Sequence, residues 1–464
     1  RTGGIHMMKR VHLIGIGGTG MSSIARVLLE QGYTVSGSDR VLSPLALDLR
    51  QSGAVVFAGH EAKHVNDVDL VVRSSAISDD NPEVSAAFHL GIPVLKRQDF
   101  MRTLLENRAC IAVAGSHGKT TTSTMLAWSL TQLGLDPGYI LGGVSSNLGN
   151  NAHAGSGSQF VIEADEYDYM FLGLDPALIL LTNVEYDHPD CFPTVESYHA
   201  AFTSFVKLLK PGGILVANAD DAGAAMKIHD LPAGTRAVTF GLLGSPDFKA
   251  EDVVVNNTGG CSFTVAGKGQ TAPLARAALK VPGEHNVRNA LGVLTVIHSL
   301  GEPAQQAADA LSAYTGSGRR FEIIAEVDGI TIIDDYAHHP SKIKATLAAA
   351  RSRFPRRRII AVWQPHTYSR TQALEGDFIQ SFHDADLVVV TDIYAAREKP
   401  QGYSPSLLVA LMDYVSALHI PGIASVVDFL LGKLQPGDVL IVLSAGDADQ
   451  VCREVKVRLQ ERKG

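Results

Sequence analysis

Short runs of β-branched and other apolar residues alternate with helical stretches along almost the whole chain, and this rhythm constrains the fold more than any other feature. Between residue 11 and about residue 108 the runs are VHLIGI, TVSGSD, AVVF, DLVVRSSAI and IPVL, spaced by stretches such as residues 21–31. Strand–helix–strand units of this kind place their strands in parallel and cover the sheet with helices. A second series opens with the buried-strand run at residues 110–114, followed by a glycine-containing turn and a helical stretch over 120–133. Its further strands are expected at 160–162, 178–182 and 214–217. Between 253 and 265, short β-rich pieces flank Asn256, Asn257, Gly259 and Gly260, which reads as an antiparallel hairpin. LKVPGEHN then leads into a helix from about Asn286. A third series starts near Arg319, with strands expected at 330–334, 359–363, 387–391 and 439–443.

Three series in 464 residues match a prior of about 150 residues per domain, and no fixed-period repeat joins them into an array. The expected class is therefore α/β with three domains, spanning residues 7–107, 108–318 and 319–464. The opening RTGGIH lies before the apolar pattern begins and reads as an expression remnant. Apolar residues at 45% and charged residues at 19% exclude fibrous and disordered classes. A formal charge of −8 implies no general polyanion-binding surface, so nucleic acid is not an expected partner. The longest apolar runs fall far short of the roughly 20 residues that cross a bilayer, so no membrane insertion is expected. Cys110, Cys191, Cys261 and Cys452 form no CxxC pair, which makes a reducing cytoplasm the default location.

Gly15, Ile16, Gly17, Gly18, Thr19 and Gly20 follow the first strand and open a helix. Such a turn lets backbone approach a pyrophosphate at the positive helix end, and Asp39, closing the second strand, is placed to meet a ribose hydroxyl. An NAD-dependent oxidoreductase, another diphosphate ligand and a purely structural turn all remain open on this segment. Gly115, Ser116, His117, Gly118, Lys119 and Thr120 sit between a buried strand and a helix, where amides, an ammonium and a hydroxyl converge on a nucleotide triphosphate and Mg²⁺. The pattern is not a full Walker A motif, because Val113 stands where the first glycine would be. As part of an exposed loop, Lys119 is expected to govern turnover and to matter little for folding.

Glu163, Ala164, Asp165 and Glu166 follow the strand at 160–162, and Asn183, Glu185, Asp187 and His188 follow the one at 178–182. Carboxylate oxygens suit Mg²⁺, and an imidazole beside them completes a more mixed metal site. In the last third, Arg319 and Arg320, the run Asp334, Asp335, Tyr336, Ala337, His338 and His339, and the run from Gln364 through His366, Thr367 and Arg370 all lie at strand boundaries. The basic run Arg356, Arg357, Arg358 reads as a solvated turn before a strand.

Taken in order, HLIGIGGTGMSSIA, SGSD, SSAI, AVAGSHGKTTT, EADEYD, TNVEYDHPD, PGEHN, GRRFE, DDYAHHP and QPHTYSRT resemble the Mur ligases of peptidoglycan synthesis across nearly the whole chain, and most of all the alanine-adding branch. The resemblance implies a Rossmann-like N-terminal domain that holds the UDP moiety of a sugar nucleotide, a central P-loop ATPase-like parallel-sheet domain, and a Rossmann-like C-terminal domain that closes over the nucleotide. It implies ATP-dependent joining of L-alanine to the lactyl carboxylate of UDP-N-acetylmuramate through an acyl phosphate, with Mg²⁺ or Mn²⁺, by a monomer or weak homodimer. The near neighbour that attaches recycled tripeptide to the same sugar nucleotide is the alternative, and an NAD-dependent oxidoreductase or a non-catalytic nucleotide-binding protein are more distant ones.

Carried over residue by residue, the resemblance puts Gly15, Gly17, Gly18, Thr19, Gly20, Asp39, Ser74 and Ser75 at the sugar nucleotide. Gly115, Ser116, His117, Gly118, Lys119, Thr120 and Thr121 fall at the phosphates, His285 and Asn286 at adenine, and Arg320 and Asp335 at the nucleotide from the closing domain. Lys119, Glu163, His188 and Arg370 are the catalytic candidates. Thr120, Glu163 and His188 are the metal ligands, and Tyr336, His338, His366 and Arg370 surround the amino acid. Two departures from the family pattern stand out. Members adding later residues carry a carbamoylated Lys after an Ala-Ala pair, where this chain has Phe202 after Ala200 and Ala201. Many alanine-adding members have Arg after the His of QPH, where this chain has Thr367, so carboxylate recognition shifts to Arg370.

Overall fold

The computed structural model describes residues 9–396 and 398–461; the RTGGIH segment lies outside them. The chain forms two compact units, one running to Val184 with Ala200–Phe240 and Thr295–Pro303, the other made of Glu185–His199, Gly241–Leu294 and the chain from Ala304 on.

The first unit begins with strands β1 (Arg10–Ile14), β2 (Thr34–Asp39), β3 (Val55–Ala58), β4 (Leu70–Arg73) and β5 (Val94–Lys96), all parallel, in the order β3-β2-β1-β4-β5. The chain leaves β1 toward β2 on one side and later returns to β4 on the other, so the sheet reverses direction at the carboxyl end of β1. The glycine turn emerges there and feeds the helix Thr19–Glu30. Val11, Leu13, Val71 and Val72 are buried within the sheet, and Ile14, Val65, Val71, Val84 and Ala87 form a core on one face.

The same unit carries β6 (Ala109–Ala114), β7 (Gly138–Ile140), β8 (Ala152–His153), β9 (Gln159–Glu163), β10 (Leu178–Leu181), β11 (Ile214–Asn218) and β12 (Arg236–Gly241), ordered β12-β11-β10-β6-β9-β7-β8. β6 is flanked by β9 and β10, both parallel to it. Its residues from Cys110 to Ala114 are buried on both faces, as a central parallel strand requires. A second reversal point therefore lies where residues 115–118 leave β6. Glu163 is the last residue of β9 and not a loop residue beyond it. Phe202 is a core residue, its ring edge-on to Phe171 at 5.3 Å.

In the second unit, β13 (Phe248–Val255) and β14 (Cys261–Gly267) form the expected antiparallel hairpin, longer than its sequence signal, with Asn256 Oδ1 accepting the amides of Thr258 and Gly260 across the turn. A third strand, β15 (Ala275–Ala278), pairs with β14. The C-terminal sheet is formed by β16 (Glu322–Val327), β17 (Ile330–Asp335), β18 (Ile359–Trp363), β19 (Leu387–Val390), β20 (Ser416–His419) and β21 (Val439–Leu443), ordered β16-β17-β21-β18-β19-β20. Only β16 is antiparallel. Trp363, fully buried, packs against Phe378 and Phe382 at ring separations of 4.8 and 5.3 Å, and each such burial is worth about 2–3 kcal/mol. The basic run before β18 is not a bare solvated turn. Arg357 donates to the carbonyls of Gly329, Gly437 and Asp438 and to Thr331 Oγ1, and Arg358 pairs with Asp438. Two of these carbonyls also accept backbone amides, Gly329 from Gly437 and Asp438 from Thr331, so the Arg357 guanidinium adds a second tie between the loops at this end of the sheet.

Candidate active site

The glycine turn of the first unit is tied to the second strand. Asp39 Oδ2 accepts the Gly17 amide at 2.9 Å and Ser43 Oγ donates to the Gly17 carbonyl at 2.9 Å. Ser74 begins the loop after β4 against Gly15, whereas Ser75 is exposed. Gly18 precedes the helix without a side-chain cap, and the helix's first turn, Thr19 and Gly20 included, holds no acidic residue. Its free amides and the helix dipole thus present a positive surface.

At the end of β6 the backbone must turn sharply, and Gly115 at φ +139 and Gly118 at φ +78 supply conformations that residues with a side chain rarely adopt. A Cβ on Gly115 would stand 2.1 Å from Thr182 Oγ1. The loop is laced to the residues after β10. Asn183 O accepts the Ser116 amide at 3.2 Å, Asn183 Oδ1 accepts the His117 amide at 2.8 Å, and Thr182 Oγ1 donates to the His117 carbonyl at 2.6 Å. Asn218 Nδ2 in turn donates to the Thr182 carbonyl at 2.8 Å. Lys119 and Thr120 then begin the helix Lys119–Gln132, with Thr121 buried behind them.

Lys119 corrects the expectation of an exposed loop residue. Its side chain is only 13% exposed, and Nζ donates to the Gly115 carbonyl at 2.7 Å and to both oxygens of the buried Glu166 at 2.9 and 2.6 Å. Burial alone would lower its pKa, but the charges of Glu166, Asp165 and Glu163 outweigh it and raise it, so the ammonium is retained. Thr120 Oγ1 donates to Glu163 Oε1 at 3.1 Å, and Glu163 Oε2 accepts the Gly142 amide at 2.8 Å. A hydroxyl and a carboxylate beside this glycine loop form a hard-oxygen pair of the kind that Mg²⁺ takes.

The second unit gathers a separate cluster. Arg370 is 3% exposed and spends three of its nitrogens on it. Nε donates to Asp187 Oδ1 at 2.7 Å, Nη1 to His366 Nδ1 at 3.0 Å, and Nη2 to His188 Nδ1 at 3.2 Å. A guanidinium only donates, so both imidazoles accept through Nδ1. Metal ligation by His188 through Nε2 thus requires that nitrogen to give up its hydrogen, or Arg370 to withdraw from Nδ1. Asp187 is buried, which by itself would raise its pKa, yet Arg370 and then His188 hold it well below the carboxylate range. Burial and the Arg370 charge push His366 down to about 4, and burial with Lys342 and Arg370 pushes His338 well below the usual imidazole value. Both rings are neutral near pH 7. Thr367, at φ +64, accepts the Arg370 amide and caps the short helix Tyr368–Ala373, so the departure from Arg at this position has a structural use.

Nearby in sequence, Asp335 is buried and its oxygens accept the amides of Phe321 and Ala337 at 2.7 and 2.8 Å, with burial raising its pKa. The Arg320 guanidinium lies 4.7 Å from the centre of the Tyr336 ring. His338 Nδ1 faces the Tyr336 carbonyl at 2.9 Å. At the start of the helix Glu284–Ser299, Asn286 Nδ2 donates to the Pro282 carbonyl and Asn289 Nδ2 to Asn286 Oδ1. Burial and Arg288 lower the His285 pKa to about 4.

The structure thus brings Lys119, Thr120 and Glu163 together in one unit, and His188, His366 and Arg370 together in the other. Four neighbours of these residues are not singled out by the sequence: Glu166 as the Lys119 partner, Asn183 as the brace of the loop, Asp187 and Asn289. The first three lie inside motifs that sequence reading had marked, but nothing local says which carboxylate meets which cation.

Comparisons with known proteins match the chain in three successive segments. Residues 10–109 match the Mur ligase family catalytic domain, 113–297 the Mur ligase middle domain, and 319–446 the Mur ligase glutamate ligase domain. A UDP-N-acetylmuramate–L-alanine ligase of Roseiflexus is 42% identical over 462 residues, covering 95% of this chain and 97% of the relative. One from Syntrophus aciditrophicus is 40% identical over 461 residues, covering 98% and 94%. Among solved structures, the UDP-N-acetylmuramate–alanine ligase of Thermotoga maritima superposes with a TM-score of 0.80 at 29% identity, covering 98% of this chain and 99% of that one. A murein peptide ligase of Psychrobacter arcticus gives 0.70 at 27%, covering 97% and 98%.

Proposed function

The chain belongs to the Mur ligase family, and from that premise we propose how its residues carry out the family's reaction. It joins L-alanine to UDP-N-acetylmuramate at the expense of ATP, a step of peptidoglycan precursor synthesis. The observation that carries this reading is identity near 40% over almost the full length of relatives that bear this name.

A carboxylate oxygen is a very poor leaving group in water, so joining it to an amine demands activation. Attack of the lactyl carboxylate on the γ-phosphorus of ATP breaks the bond to the β–γ bridging oxygen and releases ADP, giving an acyl phosphate; the L-alanine amine then attacks the acyl carbon, losing a proton as phosphate leaves. Both steps concentrate negative charge, and preorganised cations and amides are the means of holding it. Lys119 supplies the ammonium and residues 115–118 the amides. Mg²⁺, when bound, offsets phosphate charge, and Thr120 and Glu163 are the pair that would hold it, with His188 as the candidate for a second ion. Arg370, joined to His366 and Asp187, is the cation assigned to the amino-acid carboxylate, with Tyr336 and His338 beside it. His285 and Asn286 are assigned to adenine, and Arg320 and Asp335 to the nucleotide. Gly15, Gly17, Gly18, Thr19, Gly20, Asp39, Ser74 and Ser75 are assigned to the sugar nucleotide. The functional division proposed is 7–107 for the sugar nucleotide, 108–318 for ATP and 319–464 for the amino acid. Among the described residues no helix is long and apolar enough to cross a membrane.

The test is phosphate release from ATP with UDP-N-acetylmuramate, screened against amino acids and the tripeptide. Release is expected with L-alanine and not with the tripeptide; the reverse pattern would identify the murein peptide ligase instead.

A further inference from the structure

Tyr394, in the loop after β19, is an aromatic residue that the reaction as described does not use. Its amide donates to the Pro365 carbonyl and its carbonyl accepts the Thr367 amide, both at 2.9 Å, so its backbone is bridged to His366 beyond the end of β18. Further along the same loop, Glu398 accepts the amides of Tyr368 and Ser369 at 2.6 and 3.1 Å and ties the loop to the start of the helix Tyr368–Ala373, which carries Arg370. The Tyr394 ring stacks on the His366 imidazole, with centroids 5.6 Å apart and planes 27° apart. It also leans on Gly446 in the loop after β21, where a Cβ would stand 2.6 Å from Tyr394 Cγ and 2.8 Å from Cδ2. Glycine at that position therefore makes room for the ring. Held in this way, Tyr394 is still 36% exposed, and rigid aromatic side chains with an open flank are what ligand pockets are walled with.

The ring ends a row. Tyr336 and His338 lie 5.3 Å apart edge to face, His338 and His366 5.8 Å apart, and Tyr394 follows His366. Burial keeps both imidazoles neutral near pH 7, so this surface is uncharged, and the charge lies at Arg370, whose Nη1 donates to His366 Nδ1 at 3.0 Å. With Nδ1 accepting, the His366 hydrogen is on Nε2. In an α-amino acid, Cα alone separates the carboxylate carbon from Cβ. A carboxylate at Arg370 therefore brings the amino-acid side chain beside the rings that flank His366. His338 is buried and turned to the Tyr336 carbonyl, whereas Tyr394 has surface left with which to touch a ligand.

We propose that Tyr394 sets the size of the amino-acid side chain, closing the space beside His366 to anything larger than a methyl group. This deepens the reading given under Proposed function and rests on it. The test is phosphate release from ATP and UDP-N-acetylmuramate with L-alanine, L-α-aminobutyrate and L-valine, measured as kcat/KM for the wild type, Tyr394→Ala, Tyr394→Leu and Tyr394→Phe, with thermal melting as the control for folding. One methylene in an apolar pocket changes selectivity by about 10- to 200-fold. In Tyr394→Ala the kcat/KM ratio of L-α-aminobutyrate to L-alanine is thus expected to rise by about tenfold or more, and in Tyr394→Leu by less. Tyr394→Phe, which keeps the ring and its stacking, should hold the wild-type ratio, and the KM for UDP-N-acetylmuramate should not move in any variant. The leucine variant reads the ratio even where the alanine variant melts below the assay temperature. A loss of kcat/KM equal for every amino acid would make Tyr394 a brace for His366 alone and overturn the proposal, as would a ratio unchanged in both truncated variants. A wild type that releases phosphate with none of these amino acids would overturn the reading under Proposed function, and this proposal with it.

Discussion

Lys119 faces a buried carboxylate, so its replacement has two consequences that must be separated. Removing one electrostatic donor from a phosphoryl-transfer site costs roughly 10²- to 10³-fold in turnover. Removing the cation opposite Glu166 also breaks a buried pair, at about 3–5 kcal/mol. Lys119→Ala is therefore expected to be nearly inactive and to melt earlier than the wild type. Adding Glu166→Gln should restore most of the melting temperature and none of the phosphate release. Equal stability of wild type and Lys119→Ala would show that the contact at 2.6 Å contributes nothing to folding. Arg370 obeys the same logic, since Asp187 is as deeply buried as Glu166.

At the level of the element, the first sheet is braced by polar groups no catalytic step requires. Glu83, fully buried in the helix Pro82–His89, accepts from Ser38 Oγ at 2.5 Å and His64 Nδ1 at 2.6 Å, with His60 Nδ1 at 3.4 Å and His12 Nε2 at 3.5 Å. Burial would raise its pKa, but the proximity of His12 and the hydrogen bonds from Ser38 and His64 outweigh burial and bring it to about 2. A carboxyl drawn from 4.5 down to about 2 carries on the order of 3 kcal/mol of stability. Because the folded-state value is the lower one, that contribution is complete above pH 4.5 and is lost as the pH falls toward 2. Glu83→Gln should be destabilised at neutral pH, and the gap between variant and wild type should narrow on acidification, as urea titrations at several pH values would record. A gap independent of pH would mean that shape and not charge holds this helix.

On the scale of the whole molecule, the chain builds separate cores. One lies under the first sheet, from Ile14 to Ala87, and two flank the C-terminal sheet, drawn wholly from residues after 320. Cores that share no side chains need not melt together. Scanning calorimetry is expected to give a total enthalpy larger than the van't Hoff enthalpy of its main transition, and an ATP analogue should raise the melting of the unit that contains Lys119. A single transition with equal enthalpies would show the two units to be one cooperative block.

The amino-acid sequence by itself determined the alternation of strand and helix, the parallel sheets, the two glycine turns at strand ends, and membership of the family, because these depend on short-range periodicity and on residue order. It left β7, β8, β12, β15, β16 and β20 unmarked, since such short or half-exposed segments carry no strong pattern. Tertiary structure alone decided that Lys119 is enclosed by Glu166 and that Arg370 reaches Asp187 across 183 positions of chain. Parallel sheets bring together strand ends far apart in the sequence. Which charge meets which there is set by strand order and register, and neither leaves a trace in the local composition of the residues concerned.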